Sequence, residues 1–275
     1  MKIKKKYTHH NKRPIWRILP TETGKLIVEE REKDNKQVYF HCLNIESGKK
    51  IFINLQLEEK FWIGIEAIYN DMIYFHKFVK PDMPNHVGII AMNLNEQKIL
   101  WENFNNSFLF IWKEKVYSFQ QMFEGRKYFS LDYKSGNLLE DFGDDVGKIN
   151  EVKKELDESD AYAGYLFPIS YNSNITASAN LNEVFQKLRN DFTFSGTIEY
   201  VQKNGLLLFN FHIVNSEGNF SNRFKALDLS SGKYIFEETL IKETKTFAPD
   251  SFFVKDDLLF LLFGKNRLSV YSIID

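Results

Sequence analysis

Three charged residues stand in stretches that otherwise read as apolar strands. They are Arg17 in Ile15-Trp-Arg-Ile-Leu19, Glu66 in Phe61-Trp-Ile-Gly-Ile-Glu-Ala-Ile68, and Glu199 between Ile198 and Tyr200. A charge in such a strand is costly unless it is paired or wet. Two acids and one base of this kind are candidates to hold a small polar ligand or an ion. A solvated channel with one Arg–Glu pair explains them without a ligand.

Other chemistry is thin. Six histidines occur, at 9, 10, 41, 76, 86 and 212, and none forms a His-x-x-x-His or Cys/His ligand set. His41, His76 and His212 sit singly in strands and read as packed or rim residues, so no metal is expected. Cys42 reads as a small buried hydrophobe and excludes an intrachain disulfide. No Gly-rich phosphate loop, Gly-x-Ser-x-Gly elbow or Asp-x-Asp-x-Asp loop is present. Asp144-Asp145 and Asp256-Asp257 read as turn chemistry, and no catalytic residue stands out.

The elements that must position these residues are repeats. Cys42-Leu-Asn-Ile-Glu-Ser-Gly-Lys-Lys50, Ala91-Met-Asn-Leu-Asn-Glu-Gln-Lys-Ile99, Ser130-Leu-Asp-Tyr-Lys-Ser-Gly-Asn-Leu138 and Ala226-Leu-Asp-Leu-Ser-Ser-Gly-Lys-Tyr234 are versions of one segment. Each is a strand ending in Asn or Asp, a tight turn and the start of another strand. In the turn the Asx side chain caps the backbone and Gly48, Gly136 or Gly232 takes φ > 0. Gln97 fills that slot in the second copy, so that turn is expected to differ. A weaker fifth copy centres on Ser272. Recurrence at roughly 40–50 residues marks a repeat array, and each unit carries four strand signals, as a β-propeller blade does. Twenty-six Phe and thirteen Tyr suit pleated, half-buried strands.

One gap, between Asp132 and Asp228, is double. Within it Lys148–Glu158 and Asn180–Asn190 show helical spacing, the second with a capping box at Asn180 and Glu183 and an apolar stripe at Leu181, Val184, Phe185 and Leu188. The expectation is one all-β domain over 1–275: a single five-bladed propeller with a helical insertion at 143–195, six blades being the alternative. The last unit lacks an outer strand, and Lys2–Tyr7 is placed to supply it.

The order Gly88-Ile-Ile-Ala-Met-Asn-Leu94 followed by Ile99-Leu-Trp101 resembles the repeat of quinoprotein-type (PQQ-like) propellers. Ile15-Trp-Arg-Ile18, Glu29-Glu-Arg31, Phe61-Trp62, Leu100-Trp101, Phe167-Pro-Ile-Ser-Tyr171 and Ile198-Glu-Tyr200 are similar to a family of uncharacterised Bacteroidota propellers. The first resemblance implies the fold. It does not carry a quinone, because no vicinal cysteine pair or signal peptide accompanies it, and no cofactor is expected. The second family brings no established activity.

In such a blade the first strand lines the central channel, which would put Arg17, Glu66 and Glu199 there. The long elements Lys80–His86, Phe123–Arg126, Asn215–Asn222 and 143–195 would share one loop-rich face, with Phe123, Arg126 and Phe185 as its interaction residues. The functional expectation is a non-enzymatic module binding an unknown protein or small polar ligand through that face and the channel mouth. The alternative is an enzyme, a hydrolase or lyase, with a polar site at the mouth. A net charge of −1 offers no field for nucleic acid. No apolar run approaches the ~20 residues of a membrane helix. A cytoplasmic monomer is expected.

Overall fold

A computed structural model describes residues 1–79, 85–159, 163–172, 179–191 and 194–274. The expected loop at Lys80–His86 falls mostly outside these residues. Two compact units divide the chain, one of Ile15–Ala163 and one of Met1–Pro14 with Gly164–Asp275. The chain opens on β1 (Lys2–His10), which belongs to the second unit.

The unit Ile15–Ala163 holds three antiparallel four-stranded meanders. The first is β2 (Ile15–Pro20), β3 (Lys25–Glu32), β4 (Gln37–Asn44) and β5 (Lys50–Leu55). The second is β6 (Ile63–Tyr69), β7 (Met72–Phe78), β8 (His86–Asn93) and β9 (Lys98–Asn103). The third is β10 (Ser107–Trp112), β11 (Lys115–Met122), β12 (Gly125–Asp132) and β13 (Leu138–Gly143), joined to the second by the single parallel pair Ser107–Gly88. Helix α1 (Val146–Glu158) follows. Asp145 caps it by accepting from the Lys148 N–H, and buried Ile149 packs with Phe110 and Tyr117.

In the other unit, β14 (Tyr165–Leu166) and β15 (Ile169–Ser170) are short strands and α2 spans Ala179–Asp191. The fourth meander is β16 (Phe194–Lys203), β17 (Leu206–Val214), β18 (Phe220–Asp228) and β19 (Lys233–Thr244), extended by β15. The fifth has only β20 (Phe252–Lys255), β21 (Leu258–Phe263) and β22 (Arg267–Ile274) from its own stretch. β1 completes it, running antiparallel to β22 from Lys2 opposite Ile274 to His10 opposite Arg267. The N-terminal lysines therefore lie on a paired strand, as expected, and not on a free tail.

The five meanders share a backbone signature. The residue after each Asx or Ser272 position donates its N–H to the turn between the first two strands: Ile45 to Gly24, Leu94 to Asp71, Tyr133 to Glu114, Leu229 to Gly205 and Ile273 to Asp257. Three of these turns have two residues, both at positive φ: Asn70-Asp71, Lys113-Glu114 and Asn204-Gly205. That conformation matches the twist of the strands it joins.

Two expectations are corrected. The turn at Gln97 does not differ. Gln97 takes φ 57°, and its N–H donates to Asn93 O at 2.8 Å, as Gly48, Gly136 and Gly232 donate to Asn44, Asp132 and Asp228. The backbone ring closed by the Asx cap imposes the left-handed conformation even without glycine. Nor is Phe123–Arg126 a long loop. Met122 pairs with Gly125, leaving Phe123-Glu124 as a two-residue hairpin turn.

The segment 143–195 supplies both expected helices, and each packs on the meander of its own unit. Among the described residues it forms no sixth four-stranded meander. Within each unit, apolar residues fill the spaces between successive meanders. Phe40, Ile27, Ile63, Phe75 and Ile90 join the first two, and Leu208, Phe224, Val254, Leu261 and Tyr271 the last two. No helix among the described residues is long and apolar enough to cross a membrane.

Candidate functional site

The site lies on the second meander of the unit Ile15–Ala163. β6 pairs with β7 through Ile65–Phe75 and then Ala67–Tyr74, so Glu66 is the extra residue of a bulge. A bulge re-aims its side chain. β8 carries an extra residue as well, next to Gly88 at φ +73°, between the pairs Lys77–Val87 and Phe75–Ile90. His86, opposite Phe78, is thereby brought onto the face of His76. The two imidazoles lie parallel, centroids 3.5 Å apart and planes 7° apart. Phe78 meets both edge-on.

Both rings turn Nδ1 toward one carboxylate oxygen. His86 Nδ1 lies 2.8 Å from Glu66 Oε1 in a hydrogen bond, and His76 Nδ1 lies 3.0 Å from the same atom. The His76 contact is close without being aligned as a hydrogen bond, and its Nε2 has no partner either. His76 is wholly buried, while the His86 side chain is 38% exposed. Gly64 makes room for His76, since a β-carbon there would lie 2.8 Å from its Cε1 and Nε2.

Burial pushes the His76 pKa below its ordinary value despite the carboxylate, so the ring is neutral near pH 7. Burial alone would raise Glu66, but its contacts with His76 and His86 outweigh this and hold the carboxyl below the usual range. The pocket pairs an ionised carboxylate with neutral imidazole.

Two arginines from the first meander brace β6. Arg31 Nη1 donates to Phe61 O at 3.0 Å, and its Nη2 to Ile63 O. Arg17 Nη1 donates to Ile65 O. Both converge on buried Glu29, Arg31 Nε at 2.6 Å and Arg17 Nε at 3.8 Å. Burial pushes the Glu29 carboxyl up, partly offset by these cations. The Arg31 guanidinium lies about equally far from the rings of Trp16, Phe61 and Phe78, with Trp16 largely exposed.

Of the residues singled out in sequence, Arg17 and Glu66 lie in this neighbourhood. Glu199 lies on β16, in the other unit, where burial raises its carboxyl against a hydrogen bond with Asn210. The partner of Arg17 is Glu29 on β3, which in the sequence figures only in the segment Glu29-Glu-Arg31 of the family resemblance. Phe123 is fully exposed on its hairpin turn, and Arg126 lies 4.1 Å over Phe119. Phe185 is fully buried against Tyr171, Tyr200 and Phe209, so it bears on a surface only through the helix it anchors.

Neither His76, expected as a single packed or rim histidine, nor His86, expected at the end of the long element Lys80–His86, stands out in the sequence as a site residue. A usable signal existed. Positions 66, 76 and 86 lie one strand and one turn apart, the spacing that sets side chains abreast in a meander.

The family described as a domain of unknown function (DUF4905) matches residues 19–101, which cover most of the first two meanders and include Glu66, His76 and His86. No curated protein matches the chain. Among solved structures, the chain is similar to a member of the DUF4221 family from Bacteroides vulgatus ATCC 8482. Identity is 10% and the TM-score 0.36, over 98% of this chain and 97% of that one. It is similar to an uncharacterized protein from Listeria monocytogenes EGD-e at 11% identity and TM-score 0.36, over 96% and 95% of the chains. It also aligns with the Dos1 propeller at 9% identity and TM-score 0.32, over 94% of this chain and 68% of that one. At TM-scores this low, none of the three bears on fold or function.

Proposed function

We propose that the protein is a non-enzymatic ligand-binding β-propeller whose five meanders are its blades, and that it takes a small polar ligand at Glu66, His76 and His86. The supporting observation is the convergence of two imidazoles on one oxygen of the Glu66 carboxylate, with His86 open to solvent. A ligand reaching His86 meets a hydrogen-bond acceptor in Glu66 and a donor or acceptor in imidazole. Exposed Trp16 nearby adds an aromatic face. Arg17 and Arg31 hold β6 in place by its carbonyls and leave the carboxylate of Glu66 to the ligand. The blade count is supported by the repeated Asx-turn hydrogen bond and by β1 completing the last meander. The protein is read as a cytoplasmic monomer, and its near-zero net charge offers no field that would draw nucleic acid or an anionic membrane. A protein partner would instead engage Phe123 and Arg126.

The same convergence favours a second reading, an enzyme of the hydrolase or lyase type. A neutral buried imidazole beside an ionised carboxylate is a candidate proton acceptor. One experiment addresses both. Panels of sugars, amino acids and dicarboxylates are titrated into the full chain, with the histidine side chains followed by NMR. Shifts of His86 that saturate without chemical change support the binding module. Product formation abolished by Glu66→Gln supports the enzyme. A His86 resonance that no compound class moves sinks both readings.

A further inference from the structure

Glu66, His76 and His86 have a property beyond ligand contact. His76 is wholly buried, its Nδ1 stands 3.0 Å from Glu66 Oε1 outside hydrogen-bond alignment, and its Nε2 has no partner. A buried polar atom left unpaired costs roughly 1–3 kcal/mol. One carboxylate oxygen also faces two Nδ1 atoms at once. One ion can draw on all three residues once His86, the half-exposed ring, turns out of its face-to-face stack with His76, because parallel rings point their Nδ1 lone pairs side by side and not at one point. Ligand atoms about 2.1 Å from a common ion and at right angles to one another lie about 3 Å apart. The separations of 2.8 and 3.0 Å are of that size, and donor atoms of all three residues fall within 4.8 Å of one another.

We propose that Glu66, His76 and His86 bind a divalent first-row transition ion, with one carboxylate oxygen and two imidazole nitrogens as protein ligands. The inference rests on the reading of this cluster as the ligand site and names what the polar ligand would meet there. Two imidazoles and one carboxylate suit Zn²⁺ and its neighbours better than Ca²⁺ or Mg²⁺, which favour all-oxygen sets. Three protein ligands leave coordination positions open, and the exposed edge of His86 is the way in. The nearest cations do not bar an ion, because Arg17 and Arg31 are engaged with Glu29 and the carbonyls of Phe61, Ile63 and Ile65. Gly64 matters here too, since any side chain at that position would push His76 out of the set.

The test uses the full chain, stripped with EDTA and freed of chelator. Zn²⁺ alone is titrated by calorimetry, and Co²⁺ alone by its visible absorption, into wild type, Glu66→Gln, His86→Ala and His86→Asn. Circular dichroism confirms that each variant is folded. His86 is partly exposed, so its variants are the least exposed to a folding defect. One ion per chain at micromolar affinity or tighter is expected, weakened at least tenfold in Glu66→Gln and in both His86 variants. The inference is overturned if folded wild type takes up neither ion. It is equally overturned if affinity in the variants stays within twofold of wild type, because the ion would then sit elsewhere. Polar-ligand binding that persists in EDTA without ion uptake removes the metal and leaves the ligand reading standing. Ion uptake with no polar ligand from any class sustains the metal and removes the ligand reading.

Discussion

Trp101 of the second meander lies flat against Gly136 in the Asx turn of the third: a β-carbon on Gly136 would come within 2.6 Å of Trp101 Cδ2. The indole Nε1 donates to Tyr133 O at 3.1 Å, and Tyr74 Oη donates to the same carbonyl at 2.8 Å. Gly136 thus serves the turn of its own meander and the packing of its neighbour. Gly232, at the equivalent turn, has φ +68° and open space where a β-carbon would go.

The two glycines should therefore respond differently to alanine. Gly232→Ala meets only the left-handed backbone and should cost about 1 kcal/mol. Gly136→Ala meets the same backbone and the indole, and overpacking adds roughly 1–3 kcal/mol. Gln97→Gly, at φ 57°, should be near neutral or mildly stabilising. Urea unfolding of the three variants measures this. Equal losses at Gly136 and Gly232 would mean that the contact with Trp101 carries no weight.

β1 covers the whole length of β22. Deleting residues 1–10 would leave β22 as a long unpaired edge rich in Leu, Val, Tyr and Ile, the kind of edge that templates association. The truncated chain should melt lower and elute partly as higher oligomers in size-exclusion chromatography. A monomeric truncation with unchanged melting temperature would show that the pairing of β1 adds nothing.

The architecture was legible because it rests on local chemistry. The Asx cap, the glycine at positive φ and the alternating apolar strands act within a few residues, so the meanders, the closing strand and both helices could be read from the order of residues. Gln97 misled because a hydrogen-bonded turn can force a conformation that composition only disfavours. The site was half legible. Glu66 betrays itself as a charge in an apolar strand. Its partners His76 and His86 follow it at even spacing, one strand and one turn apart, but they become a cluster only through two bulges, which no propensity announces. Glu29 was missed for the same reason: it is buried, and its partners Arg17 and Arg31 come from different positions of the sheet.

Phe185 is expected from the sequence as an interaction residue of the loop-rich face. It is instead wholly buried among Tyr171, Tyr200, Phe209 and neighbouring leucines of α2 and the fourth meander. Phe185→Asp would place an unpaired charge there, and Phe185→Ala should itself cost about 3–5 kcal/mol. Hydrogen exchange of Phe185→Ala should show protection falling in β16 and β17 together with α2. Loss confined to 179–191 would mean that the helix is only loosely docked.

Asp71 ties two meanders within one unit, and pH should reveal the tie. Its Oδ1 accepts from Lys25 Nζ at 2.8 Å and from the Thr23 hydroxyl, and its Oδ2 from Asn95 Nδ2 at 2.9 Å. Burial acts to raise its pKa, but these donors together outweigh it, so the carboxyl titrates below its ordinary value. A folded-state pKa below the unfolded one, about 3.9, adds stability that is fully present above that value and is lost as pH falls through the folded pKa. Asp71→Asn removes the charge at every pH. Its stability deficit against wild type in urea should therefore be constant from pH 7 to about pH 5. Below about pH 4 it should shrink, as wild-type Asp71 itself becomes protonated. A deficit that stays constant down to pH 2.5 would mean that the carboxylate charge plays no part in the tie and that only the shape of the side chain matters.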